Sequence, residues 1–255
     1  MTNLCMITGA SAGLGVEFAR QLAAQGQNLL LVARRAERLE ALAAELAAKQ
    51  GVQVLIEAAD LSEPGAAAKL MQAVARRGLT VETLINNAGF GLKGEFAALD
   101  GQRQSEMIAL NCTALTELCH AVLPGMIARK SGGILNVAST AAFQAGPLMA
   151  VYYATKAYVL SFSEALHDEV KAQGVRVSCL CPGATATEFA TVAGMTQTAL
   201  FKLAVGPEKV VADGLAALKR NQAFIVSGFQ NRLFAFGTRL GPRALNRWIA
   251  HRLQA

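Results

Sequence analysis

Apolar runs, most of them continuous rather than alternating, lie at 3–8, 28–33, 52–58, 81–86, 133–138, 175–181 and 223–226. Continuous rather than alternating apolar character predicts strands buried on both faces, as in a parallel sheet covered by helices above and below. Between these runs the apolar period lengthens to that of a helix over about 14–25, 36–49, 64–77, 102–129, 151–173 and 207–220; Val16, Phe18, Ala19, Leu22 and Ala23 illustrate it. Gly26, Gly51, Gly78, Gly132 and Gly174 stand where helix passes to strand, a place for a left-handed residue. The alternation predicts an α/β fold, a doubly wound parallel sheet of about seven strands with helices on both faces. Ligands of such sheets bind outside the carboxyl ends of the strands, so functional side chains are expected just after each strand.

Composition narrows the setting. With 255 residues, 53% of them hydrophobic, the chain can bury one large core, and no linker, repeat or low-complexity tract divides it, so 1–255 reads as a single domain. No uninterrupted apolar stretch approaches the ~20 residues of a membrane span, and the strand-like start at Leu4 lacks a secretory pattern, so the expected location is cytoplasmic. Cys5, Cys112, Cys119, Cys179 and Cys181 are scattered, and Cys179 and Cys181 end a strand pattern as buried small side chains would. His120, His167 and His251 have no ligand-like spacing, so no metal site is expected. The net charge of +6 is unevenly placed: no acidic residue follows Asp213, whereas seven basic ones do.

The strand ends carry the chemistry. Thr8 to Gly15 reads TGASAGLG, between an apolar run and a helical pattern. Gly9, Gly13 and Gly15 permit a tight turn that brings backbone N–H groups and the helix N-terminus to a pyrophosphate; alone, such a turn equally well only reverses the chain. Asn86-Asn87-Ala88-Gly89 follows the fourth run, Ser139 follows the fifth, and the helix from about 151 starts with Tyr152, Tyr153 and Lys156. Tyr152 and Lys156 are four apart and share a helix face, where an ammonium stabilises a phenolate. A tyrosine of ordinary pKa about 10 needs a shift of ~3 units, about 4 kcal/mol, to act as a base near neutrality. Tyr153 has no lysine four residues on and reads as packing or pocket lining.

TGASAGLG, NNAG, Asn111, Ser139, YYATK at 152–156 and Pro182-Gly183, in this order and spacing, resemble the short-chain dehydrogenase/reductase family over about residues 1–220. Three residues between the first two glycines resemble its short, single-domain branch. The resemblance implies a Rossmann-type fold, a nicotinamide cofactor, oxidoreduction of a carbonyl/alcohol pair, and a homodimer or homotetramer. It implies that Tyr152 exchanges a proton with the reacting oxygen, that Lys156 lowers its pKa and bonds the nicotinamide ribose, and that Ser139 polarises the oxygen. It further implies that Asn111 holds a water in a relay through Lys156, and that Gly9, Ser11, Gly13, Leu14, Gly15, Asn87, Ala88 and Gly89 cradle the dinucleotide. Asp60 and Leu61 would contact the adenine, and Pro182, Gly183 and Thr187 would pass beside the nicotinamide.

Cofactor choice turns on the end of the second strand. NAD sites place a carboxylate about 20 residues past the glycine turn. Here no acidic residue lies between Glu17 and Glu37, and Arg34 and Arg35 stand where a 2′-phosphate would sit, favouring NADP(H) over NAD(H). The apolar segment 187–206, with Phe90, Phe143, Leu148 and Met149, suits a hydrophobic or acyl-type carbonyl or alcohol substrate, or equally a subunit interface. From 228 to 255 a basic amphipathic extension, interrupted at Gly241-Pro242, reads either as a cover over the cleft or a partner subunit or as a peripheral membrane contact. It has no nucleic-acid reading motif. The rival from another class is a catalytically silent dinucleotide-binding regulator or scaffold, against which the Ser139, Tyr152 and Lys156 set argues.

Overall fold

A computed structural model of the chain describes residues 2–195 and 204–254. Each predicted apolar run forms a strand: β1 Thr2–Thr8, β2 Leu29–Ala33, β3 Val54–Ala58, β4 Leu79–Asn86, β5 Gly133–Val137, β6 Arg176–Cys181 and β7 Phe224–Val226. All pair in parallel, in the order β3-β2-β1-β4-β5-β6-β7. The order reverses between β1 and β4, which opens a crevice at their carboxyl ends.

Alternate strand residues feed two cores. Leu4 and Met6 of β1 with Leu30 and Val32 of β2 pack beneath α3 (Ala66–Arg76), α5 (Leu115–Arg129) and α6 (Ala150–Val170). Cys5, Ile7, Leu29 and Leu31 face α1 (Gly13–Ala24), α2 (Ala36–Gln50) and α8 (Pro207–Lys219) on the other side. The continuous apolar runs follow from this, since neither face meets water. Side chains such as Phe18, Ile7 and Leu31 are wholly buried, each contributing on the order of 1.5–3 kcal/mol. Burial pushes the thiols of Cys5 and Cys119 up to about 11 and about 12, so both stay protonated packing groups.

Three departures from the expected helices matter for the site. The helix expected over 102–129 is interrupted: α4 (Gly101–Ile108) passes through a π-helical turn, Ala109–Ala114, into α5. The combined stretch Gly101–Arg129 is long and apolar enough to cross a membrane by length and composition, yet Met107, Ala114, Leu115, Leu118 and Met126 are spent on the protein's own interior. A short helix, α7 (Phe189–Val192), stands within the expected substrate segment, of which 196–203 lie outside the described residues. The extension splits at Gly241-Pro242 into α9 (Phe229–Leu240) and α10 (Arg243–Gln254), because proline starts a helix but cannot continue one.

Candidate active site

The glycine turn is set by contacts that leave no room for side chains. Gly9 and Gly13 have φ of +67° and +54°. A Cβ on Gly15 would lie 2.2 Å from the Gly9 carbonyl oxygen, and one on Gly9 would lie 2.8 Å from Ala88 Cα. Asn87 Nδ2 donates to the carbonyls of Thr8 and Gly9 at 2.9 and 3.2 Å. The Thr8 hydroxyl accepts from the N–H groups of Asn87 and Ala88 at 3.1 and 3.0 Å, so β1 and β4 are tied together at the crevice. The α1 N-terminus carries neither a side-chain cap nor an acidic residue in its first turn. Its free N–H groups and positive dipole end therefore face the cleft, as an anion requires.

That cleft, about 370 Å³, brings together Gly9, Ser11, Gly13, Leu14, Arg34 and Arg35 from the first two crossovers with Asp60, Leu61, Asn87, Ala88 and Gly89. Gly15 stands behind the turn as its packing glycine. Arg35 donates from Nε to the Ser11 hydroxyl at 3.2 Å and from Nη2 to the Ser11 carbonyl at 3.3 Å, which places a guanidinium against the glycine turn. Its Nη1 reaches Glu188 at 3.0 Å, and Arg38 meets the other Glu188 oxygen at 2.6 Å. Arg34 pairs with Asp60 at 3.4 Å. Burial alone would raise the Asp60 carboxyl, but hydrogen bonds from Ser62 and the charge of Arg34 hold it below the usual value. The glycine cradle, the uncapped helix end and two guanidinium groups fit a phosphorylated dinucleotide.

Ser139, Tyr152 and Lys156 converge at the other end. Ser139, extended at the end of β5, caps a 3-10 turn, Thr140–Phe143, by accepting from the Ala141 N–H at 3.1 Å, and its hydroxyl also bonds the Tyr152 phenol. Tyr152 and Lys156, one turn apart on α6, both line the cleft. Lys156 Nζ donates to the Val137 carbonyl at 2.8 Å and lies 5.8 Å from the Tyr152 ring centre. Burial pushes the Tyr152 phenol well above its ordinary value, with the Ser139 bond offsetting part of the rise, so the protein's own groups hold Tyr152 as a neutral acid. Burial brings the Lys156 ammonium down to about 8.

Asn111 sits in the π-helical turn, outside the cleft lining. Its Nδ2 donates to the Phe90 carbonyl and the Thr155 hydroxyl, each at 3.0 Å, and its Oδ1 accepts from the Phe90 N–H at 3.1 Å. The side-chain amide is thus occupied in clamping the segment after β4 to α6; a Cβ on Gly89 would fall 2.9 Å from Asn111 Oδ1 and 3.5 Å from Lys156 Nζ. Pro182, Gly183 and Thr187 line the cleft after β6, where the Pro182 carbonyl accepts from the Thr140 N–H at 2.8 Å. Among the described residues no three His, Cys, Asp or Glu side chains group to hold a metal.

The substrate side is apolar. Phe90, Met149, Phe189, Val192 and Met195 line it, and the Phe189 ring centre is 5.4 Å from that of Tyr152. Two expected lining residues do not take part. Phe143 packs on Phe224 at 6.2 Å between ring centres, and Leu148, at φ +65°, turns into a separate crevice beside Gly94 and Leu99. One residue without a sequence signal takes their place. Gln254, at the end of α10, is buried and reaches the cleft, where its Nε2 donates to the Tyr153 hydroxyl at 2.6 Å. Its Oε1 is buried without a partner. Glu188 was equally hidden, since only the folded chain brings it to Arg35 and Arg38.

The glycine turn at the sheet reversal faces Ser139, Tyr152 and Lys156 across one cleft. The short chain dehydrogenase model matches residues 3–197, and the chain belongs to that family. The chain is 38% identical over 184 residues to a very-long-chain 3-oxoacyl-CoA reductase of Phaeosphaeria nodorum, covering 69% of this chain and 52% of that protein, so it spans about half the length of this relative. It is 37% identical over 219 residues to a sulfoacetaldehyde reductase of Chromohalobacter salexigens, covering 85% and 86% of the two. Among solved structures, a short-chain dehydrogenase from Sphingobium yanoikuyae in complex with NADPH superposes with a TM-score of 0.82 at 34% identity, covering 94% of each chain.

Proposed function

We propose that the protein is an NADP(H)-dependent reductase of a hydrophobic or acyl-type ketone. The observation that carries the reading is the buried Tyr152 phenol, bonded by Ser139 and sharing its helix face with Lys156 at the inner end of the dinucleotide cleft. When bound, the nicotinamide supplies and accepts the hydride.

The chain's residues perform the remaining work. Backbone N–H groups at Gly13 and Leu14 would hold the pyrophosphate, and Arg34 and Arg35 would meet the 2′-phosphate. Asp60 and Leu61 flank the adenine. Ser139 donates to the substrate oxygen as charge develops there, and Tyr152, kept protonated by burial, delivers the proton to it. Lys156 orients the ribose, and its positive charge favours the phenolate that remains. Asn111 acts as a positioning residue that fixes the Phe90 segment and α6. The apolar wall, together with the named activity of the Phaeosphaeria relative, makes 3-oxoacyl thioesters and bulky ketones the first substrates to try.

The test is NADPH and NADH oxidation against hydrophobic ketones, diketones and 3-oxoacyl thioesters, with Tyr152→Phe beside the wild type. Turnover with NADPH is expected, falling about 10²–10⁴-fold in the variant. NADPH binding without turnover, unchanged by Tyr152→Phe, would overturn the reductase in favour of a dinucleotide-binding regulator.

A further inference from the structure

The extension has two unlike sides. Its inner side is fastened by polar bonds, Gln254 to Tyr153, Asn231 Nδ2 to the Ser227 carbonyl at 2.7 Å and Arg232 Nε to the Val226 carbonyl at 2.9 Å, while Asn246 Nδ2 ties α10 to the Thr238 carbonyl of α9 at 2.7 Å. Of α9, only the small Ala235 is fully buried. The large apolar side chains point the other way. Phe229, Leu233, Phe236 and Leu240 are 80%, 63%, 58% and 73% exposed, and their spacing of four, three and four residues makes one stripe along the helix. On α10, Trp248 is 58% exposed, and Arg252 stacks on its ring at 5.4 Å.

Such a stripe on a helix pinned from behind has no place to fold into, and exposed apolar surface of this extent marks a docking face. The charges say what docks. Among the described residues Arg239, Arg243, Arg247 and Arg252 make no ion pair, and no acidic residue follows Asp213. A second copy joined by a two-fold axis through this face would set the same arginines against one another with no carboxylate between them. A surface that is both apolar and negatively charged satisfies both features.

We propose that α9 and α10 form a peripheral docking face for an anionic lipid bilayer, with the Phe229-Leu233-Phe236-Leu240 stripe and Trp248 entering the acyl boundary and the arginines meeting the headgroups. Gln254, on the inner side, joins α10 to the cleft wall. The helices stay fastened to the protein; what changes on docking is the solvent around the stripe.

The full chain is sedimented with vesicles of phosphatidylcholine alone and of phosphatidylcholine mixed with phosphatidylglycerol. Binding is expected on the mixed vesicles, weakening with salt, since each basic residue near an anionic surface raises affinity about fivefold. The double variant Phe236→Ser, Trp248→Ser, and separately Arg243→Glu, Arg247→Glu, should each reduce it by about tenfold or more. NADPH binding, whose proposed residues are unchanged in these variants, reports that each variant is folded. Equal binding to the two vesicle types, binding unaltered in both variants, or loss of an oligomer in the serine variant by light scattering would overturn the proposal, the last outcome assigning the face to a second copy of the chain.

Discussion

At the glycine turn, the cleft walls are backbone atoms and short side chains from the ends of β1 and β4, with Arg34 and Arg35 from the end of β2, fixed by bonds such as Asn87 to Thr8 and Gly9. On the other side, the walls are large apolar side chains from the Phe90 segment, Met149 and α7, with the Tyr152 and Tyr153 rings of α6 and the Gln254 amide at the end of α10. The first tolerates almost no added atom. The second is held by packing and by side-chain amides, Asn111 on Phe90 and Gln254 on Tyr153. A fold that must bind one invariant ligand and many variable ones separates the two tasks in this way: steric exclusion at the sheet reversal, replaceable segments around it.

Gly15→Ala is the strongest way to break the rigid side. Its methyl would meet the Gly9 carbonyl oxygen at 2.2 Å, so destabilisation of about 3 kcal/mol or more and loss of dinucleotide binding are expected. Thermal unfolding and NADPH fluorescence measure the two. Gly51→Ala is the control. Gly51 ends α2 at φ +66° with open space around it, so only the left-handed strain of about 1–2 kcal/mol is expected, with binding intact.

Arg35→Ala probes selectivity on the same side. Removing a charged donor to phosphate costs about 1.5–3 kcal/mol, roughly 10–100-fold in NADPH affinity, with little change for NADH. Equal losses for the two nucleotides would move the 2′-phosphate away from Arg35.

Protonation of Lys156 separates binding from stability. Burial lowers its pKa to about 8 from an ordinary 10.5, so the folded chain releases this proton earlier than the unfolded chain does. Between those values the unfolded state binds more protons, and this group's contribution to stability rises with pH. NADPH affinity should move the opposite way, falling above about pH 8 as the ammonium is lost. Titrating affinity and chemical denaturation over the same range shows whether the two diverge.

The smallest effect is expected at Gln254→Leu. The change removes the bond to Tyr153 together with a buried oxygen that has no partner, and these oppose each other. KM for bulky ketones should shift by less than about tenfold, with kcat nearly constant. A collapse of kcat would mean that Gln254 belongs with the rigid half.

The strands, their burial on both faces, the glycine turn and the YxxxK spacing were legible because each is written within one or two helical turns of sequence. The period of apolar residues reports what covers a segment, and a four-residue gap places Tyr152 and Lys156 on one face whatever lies around them. The π-helical turn at Ala109–Ala114 was not legible, since its neighbours keep helical spacing on both sides. Phe143 and Leu148 were expected at the cleft for their apolar character; Phe143 packs on Phe224 and Leu148 lines a separate crevice. The side chains of 196–203 lie outside the described residues.

The sequence by itself therefore determined the sheet, the glycine turn and the placement of Tyr152 and Lys156 on one helix face, because those depend on local spacing and on the absence of a Cβ. Only the tertiary structure decided that Asn111 spends its amide on Phe90 and Thr155, that Glu188 bridges Arg35 and Arg38, and that the extension turns its aromatic stripe outward while Gln254 reaches Tyr153. Those outcomes depend on which distant segments meet, and a contact across 101 or 153 residues leaves no periodic trace in either partner.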